Sequence, residues 1–290
     1  VKVVYGHTDS IYVKIPSIEK AKEVVKEINT HVQKIFPNVL RLKHHPVELE
    51  FEKYYSSLGV GTTKNRNAGI VSWEDGITLE EPKFVMTGFT AKRISETQFA
   101  KRVQLTLLKQ WVNGKSLSEI ISYLNGEYKT MISGNAPLLD IIKRSRLKPE
   151  RFKVKCSCKK HYTINQCREM KHCKGCGKNK TQFTTLEGKK PTFGGGVAGI
   201  LYGQEKLSVE YDDSYLFLKV KLNDSFTHPL TDEIKKVDYV AFNKYVDFDN
   251  YIPNWEYYAN QVIKKATPVF NAMGWDTSTI RTGRIVSEWW

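Results

Sequence analysis

Residues 4–13 read Val4-Tyr5-Gly6-His7-Thr8-Asp9-Ser10-Ile11-Tyr12-Val13. Two β-prone, alternating segments flank a short polar stretch, which predicts a hairpin with Asp9 at its tip. Asp suits turns for its own sake, because its side chain bonds nearby backbone amides. A carboxylate on a rigid hairpin is also what metal-dependent phosphoryl transfer needs, since the metal must be held in a fixed place. The segment alone leaves both readings open.

Ser17 is placed to cap a helix that runs to about Phe36, where Pro37 stops it. Ile18, Ala21, Val24, Val25, Ile28, Val32 and Ile35 recur at helical spacing and read as a core-facing stripe. In Val47-Glu48-Leu49-Glu50-Phe51-Glu52, apolar and acidic residues alternate, predicting a strand with one face buried and three carboxylates on the other. A second pair of strands follows and ends near Glu80. Helices are expected over about Glu96–Val112, from Ser116 or Ser118 to Leu124, over Leu138–Lys143 and over Trp255–Met273. Tyr215–Val220 reads as a strand. Phe193–Gly199 is Gly-rich but has neither the Lys-Ser/Thr of a phosphate loop nor a strand–helix setting, and reads as a loop.

The chain has 290 residues and a net charge of +14. No apolar run approaches a membrane span, and no signal peptide is visible. The first residue is Val, inside a strand-like run that needs a partner, so the chain reads as a piece of something longer. Residues 151–190 hold twelve Lys/Arg against two Asp/Glu, a balance of +10. A concentrated basic segment is the footprint of a polyanion, although a solvated surface produces the same count.

All five cysteines fall within residues 156–176. That clustering points to a metal site and away from a disulfide framework. Cys156, Cys158, Cys173 and Cys176 form a four-thiolate set suited to structural Zn²⁺. Cys167 is the substitute ligand, with His161 and His172 behind it. Large apolar groups are few here, so residues 152–190 are expected to need the metal as a staple.

The first segment resembles the Tyr-Gly-Asp-Thr-Asp-Ser palm motif of family B DNA polymerases, with His7 where the family has its first Asp. Further resemblances follow in the family's order. Glu48–Glu52 resembles the next palm strand. Thr63-Lys64-Asn65-Arg66-Asn67-Ala68 resembles the Thr-Lys-Lys-Lys/Arg-Tyr-Ala motif at the palm–thumb junction, with Asn65 and Asn67 replacing a Lys and the Tyr. Gly88–Ser95 resembles the segment that opens the thumb, with Ile94 replacing an Asp. Tyr257–Val262 resembles the last thumb helix.

The resemblance implies an α+β fold. Half of a palm, with antiparallel strands and a helix, precedes a mostly helical thumb that carries a small zinc-binding insert. The implied units are residues 1–62 (palm), 63–151 (junction and first thumb helices), 152–190 (insert) and 191–290 (rest of the thumb). The implied activity is template-directed nucleotidyl transfer with two Mg²⁺ ions. Asp9 is one magnesium ligand, His7 has a structural or tuning role, and Glu52 lies near the metals. Thr63, Lys64, Arg66, Lys92 and Arg93 contact the DNA backbone. The partner Asp and the nucleotide-binding helix belong to an upstream polypeptide, fused or separate, without which the chain is inactive.

The implied partners are primer–template DNA, dNTP and that polypeptide, with no membrane. A sliding clamp is a further partner the family allows, but the tail, Arg284 to Trp290, lacks a Gln-led motif for it. The location implied is cytoplasmic, at the nucleoid, and the source class archaeal. The alternatives are a non-catalytic zinc-containing DNA-binding module and an inactivated polymerase subunit. Beyond the resemblance, the charge of the insert suggests that it touches duplex or template DNA.

Overall fold

The computed structural model describes residues 1–7, 9–210, 214–221, 224–243, 248 and 250–284. The clamp-motif reading of the tail concerns residues that, from 285 on, lie outside this set.

The chain opens with the expected hairpin, β1 (Lys2–Gly6) and β2 (Ile11–Lys14). Its turn is closed by the His7 amide donating to the Ser10 carbonyl at 2.7 Å. Helix α1 (Ile18–Ile35) follows, with the Ser17 hydroxyl accepting from the Lys20 amide. Its apolar stripe is not core: only Ala21 is buried, and Ile35 and Phe36 are exposed.

Residues 47–52 form no strand. The alternation survives as exposure, with Glu48, Glu50 and Glu52 exposed and Leu49 and Phe51 half-buried. The segment is pinned by a side chain and not by a β-ladder. The Asn29 amide donates to the Leu49 carbonyl at 2.9 Å and accepts from its N–H at 2.8 Å. Phe51 stacks on Trp73 with ring centroids 4.2 Å apart.

Strands β3 (Lys53–Val60), β4 (Asn67–Glu74) and β5 (Ile77–Thr87) make an antiparallel meander. β5 runs seven residues past the expected end. Helices α2 (Gln98–Val112) and α3 (Leu117–Ile132) then pack together. α3 continues well beyond Leu124. Gly126 costs it only about 1 kcal/mol, while buried Asn125 donates to the carbonyls of Ile280 and Arg281. Short α4 (Leu138–Ile141) ends before Lys143, which opens β6 (Lys143–Ser145).

The Cys-rich region holds β7 (Lys153–Lys155), β8 (His161–Thr163), α5 (Ile164–Arg168) and β9 (Thr184–Thr185), with β7 central in a three-stranded sheet. It has more core than expected. Phe152, Val154, Tyr162, Ile164, Met170 and Phe183 are buried and continuous with the main core.

Next comes α6 (Gly196–Lys206), whose first turn takes up residues read as loop. The physical reason is close packing. A Cβ on Gly199 would lie 2.9 Å from the Tyr239 carbonyl oxygen, so glycine lets the helix sit on a neighbouring strand. That strand is β13 (Tyr239–Phe242), which pairs with β10 (Tyr215–Lys219); β10 in turn pairs with β6. β11 (Ser225–Thr227) and β12 (Ile234–Lys236) form a hairpin. The expectation of a mostly helical second half therefore gives way to a mixed one. α7 (Trp255–Met273) has the bounds read from its periodicity, with Tyr258, Val262, Ala266, Val269 and Phe270 all buried. α8 (Thr279–Thr282) closes the described chain. No helix among the described residues is long and apolar enough to cross a membrane.

Candidate functional site

The hairpin presents Asp9 to solvent, with its side chain 89% exposed and His7 Nδ1 3.7 Å from Oδ1. Among the described residues, no third Cys, His or acidic side chain gathers there into a metal-binding group. An open carboxylate of this kind fits one hard-oxygen ligand of a shared divalent-metal site. Glu52 is exposed, and its carbonyl accepts from the Asp75 amide at 3.0 Å. Among the described residues, the groups that could gather around a metal do not include it with Asp9.

The hairpin is tied to the next candidate segment. The Tyr5 hydroxyl accepts from the Asn65 amide at 2.9 Å and donates to the Asn65 side-chain oxygen at 3.2 Å. Tyr5, Tyr12 and Tyr55 form a row of tilted rings, so the hairpin lies against β3. The Asn65 loop is held at both ends. The Gly61 amide donates to the Arg66 carbonyl at 2.7 Å. Asn65 takes φ 64°. Gly88, at φ 74°, approaches so closely that a Cβ would lie 1.9 Å from the Asn65 carbonyl oxygen. Thr63 and Lys64 are exposed at the loop's tip and Arg66 is half-buried at its base. The Asn at position 65, where the resemblance has a Lys, is thus a tether.

Lys92 and Arg93 lie exposed on the turn before α2. Behind them is a buried polar network that sequence reading missed. Lys265 of α7 is only 5% exposed. It donates to Thr90 Oγ1 at 2.8 Å and pairs with the Glu96 carboxylate. Gln104 Oε1 accepts from the Thr90 hydroxyl at 3.0 Å and from the Ala91 amide at 2.8 Å. Burial lowers the Lys265 pKa, and Glu96 opposes that shift. A lysine inside the apolar stripe of α7 was the signal available, because buried charges are rare unless paired.

The four predicted thiols converge. The sulfurs of Cys156, Cys158, Cys173 and Cys176 all lie within 4.8 Å of one another, with the 156–176 and 158–173 pairs each at 3.5 Å. Tetrahedral Zn–S bonds of about 2.3 Å place sulfurs about 3.8 Å apart, so the cluster fits such an ion. The Tyr162 hydroxyl, 3.0 Å from the Cys173 sulfur, pulls that thiol down to about 5. The Gly175 amide also donates to this sulfur, at 3.3 Å. Cys167, the substitute, stands outside the cluster. It is fully buried, and desolvation pushes it up to about 11, the state of an inert core thiol. His161 and His172 are also outside the cluster.

The model of the family described as DNA polymerase family B matches residues 1–273. The catalytic subunit of DNA polymerase zeta from Arabidopsis thaliana is 30% identical over 141 residues, covering 49% of this chain and 7% of that protein. That of Schizosaccharomyces pombe is 25% identical over 154 residues, covering 52% and 10%. Among solved structures, the family B DNA polymerase from the hyperthermophilic archaeon Pyrobaculum calidifontis shares the fold. Its TM-score is 0.50 at 17% identity, over 92% of this chain and 26% of that one. The chain spans a tenth or less of these curated relatives and about a quarter of that structure. With a matched span that takes in the hairpin, both basic segments and the cysteine cluster, the chain belongs to DNA polymerase family B.

Proposed function

We propose that the chain supplies the second half of the palm and the thumb of a DNA-directed DNA polymerase, and that upstream polypeptide, fused or separate, completes the site. Residues 1–62 are palm, 63–151 the junction and first thumb helices, 152–190 a zinc-bearing insert and 191–290 the remaining thumb. The observation that carries the reading is the Tyr5–Asn65 tether. It joins the hairpin bearing Asp9 to the loop bearing Thr63, Lys64 and Arg66. One element would handle the reacting phosphate and the other the primer–template backbone, in fixed relation.

Asp9 would hold one of two Mg²⁺ ions, whose charge stabilises attacking and leaving oxygens in nucleotidyl transfer. The chain's own part is to aim that carboxylate from a short turn. His7 supports the turn through its backbone, and an imidazole is a poor magnesium ligand. Lys64, Arg66, Lys92 and Arg93 would give affinity without sequence choice. Cys156, Cys158, Cys173 and Cys176 would hold structural Zn²⁺.

The test is Asp9→Ala in the polymerase assembled with its upstream polypeptide. Primer extension is expected to collapse while primer–template affinity stays near wild type. Normal extension by the variant would overturn the reading. His7→Asp in the same assembly distinguishes the inactivated subunit: a large gain in rate means an impaired site, and a small change means a tolerated one. Each true backbone contact, removed singly, should lower the slope of log affinity against log salt by about 0.9.

A further inference from the structure

The stretch from residue 143 to 178 holds thirteen Lys/Arg and two Asp/Glu. Among the described residues, only Arg168 of these thirteen cations forms an ion pair, with Glu205. Elsewhere in the fold, cations such as Lys20, Lys53, Arg102 and Lys219 are paired. An exposed stretch this basic, left largely unneutralised, raises the local potential and favours a polyanion.

Strand register gathers part of this charge on one surface. Lys153 faces Thr163 across the β7–β8 ladder, and Lys155 faces His161 on one side and Thr184 on the other. Alternation along β7 sends these side chains to one face and Val154 to the other. Val154, paired with Tyr162, lies in the buried core. The outer face thus carries Lys153, Lys155, His161, Thr163 and Thr184, with Lys159 and Lys160 in the turn at its end. No Phe, Tyr or Trp from the three strands lies on it, and the His161 imidazole is its one ring. Such a face bonds phosphates and, with one small imidazole, lacks the row of large aromatic platforms that single strands stack on.

The sheet is also rigidly mounted. Arg168 donates to the Leu201 carbonyl at 3.0 Å and pairs with Glu205, both on α6. Lys180, 3% exposed, donates to the Cys167 carbonyl at 3.0 Å and pairs with Asp232, beside β12, at 2.6 Å. These anchors come from two sides, α6 and the β11–β12 hairpin, and hold the region to the rest of the fold.

We infer that the outer face of the β8–β7–β9 sheet is a contact surface for the phosphate backbone of duplex DNA, beyond the part of the duplex held by the loops bearing Lys64 and Arg93. The inference rests on the polymerase reading above.

The test uses the assembled polymerase and two primer–templates, one with about a single helical turn of duplex and one with several turns. Lys153→Ala/Lys155→Ala is expected to lower the slope of log affinity against log salt by about 1.8 on the long duplex and to leave it unchanged on the short one. Lys155→Gln, which keeps most of the side-chain stem, should give about half the change. Metal content and thermal unfolding should match wild type, since Lys153 is exposed and half-buried Lys155 lies on the same face, away from the Val154 core.

An unchanged slope on the long duplex would overturn the proposal, as would an equal loss on both duplexes. So would weakened retention of poly-glutamate with duplex binding intact, which would assign the face to an acidic protein. Failure of the underlying reading looks different: the wild-type assembly would then extend neither primer.

Discussion

Helices α1 and α7 carry apolar stripes of the same kind, yet their surroundings differ. Six apolar residues of α7 are buried where it packs against α2 and α3, whereas α1 buries only Ala21. The same contrast holds around them. Val3, Val4, Ile11, Ile35, Phe36, Val39, Leu40, Leu42 and Val47 are exposed in the first 47 residues, while Phe99, Val103, Leu107, Ile120 and Leu124 are sealed in the helical block. Periodicity states that a face is apolar. It does not state what covers it, and among the described residues nothing covers most of this one.

The Cys-rich region tests how far that contrast extends, because its core is real but small. Removing the proposed zinc by chelation should have the largest effect, on the order of 10–16 kcal/mol for such a site. Hydrogen exchange should show β7–β9 losing protection while α2 and α7 keep theirs. If β7–β9 stayed protected, the region would stand with the self-supporting helical block. Cys167→Ala should leave the metal stoichiometry unchanged.

Phe270→Ala in α7 should cost about 3–5 kcal/mol in urea unfolding. Val25→Ala in half-buried α1 should cost on the order of 1 kcal/mol or less. Comparable losses would break the comparison.

Lys265→Met leaves Glu96 without its buried partner and should cost about 3 kcal/mol or more. Adding Glu96→Leu should recover much of that, since apolar replacements of buried pairs are often neutral. The thermal midpoints of the two variants measure the difference. A still lower midpoint in the double variant would mean that the network does more than offset a buried charge.

Tyr5→Phe removes two hydrogen bonds in an exposed setting and should cost about 1 kcal/mol per bond or less. The sensitive readout is faster amide exchange at Asn65. Unchanged exchange would mean that Gly61 and Gly88 hold the loop without help from the hairpin.

Local sequence and local structure agree where one element suffices to state the case. Ser17 caps α1, Ser116 caps α3, and α7 keeps its expected bounds. The hairpin also forms where the alternating segments and polar turn placed it. Agreement fails where a distant partner decides. Glu48–Glu52 has a strand's alternation, but Asn29 takes the backbone bonds a ladder would have made. Gly196–Gly199 has a loop's composition and becomes helix because β13 needs a surface without side chains there. Gln104 and Lys265 look like flaws in two amphipathic stripes until Thr90, Ala91 and Glu96 are brought to them.

The sequence by itself determined the spacing of turns, caps and apolar stripes, and that the clustered thiols of residues 156–176 suit a metal. These follow from backbone geometry and side-chain chemistry within a few residues. Only the tertiary structure decided that Cys167 is core, that Asn65 reaches Tyr5, and that Lys265 is buried behind Arg93. Asn65 and Lys265 depend on atoms 60 and 175 positions away in the chain and Cys167 on the buried cluster around it, and a linear pattern carries no distance between such atoms.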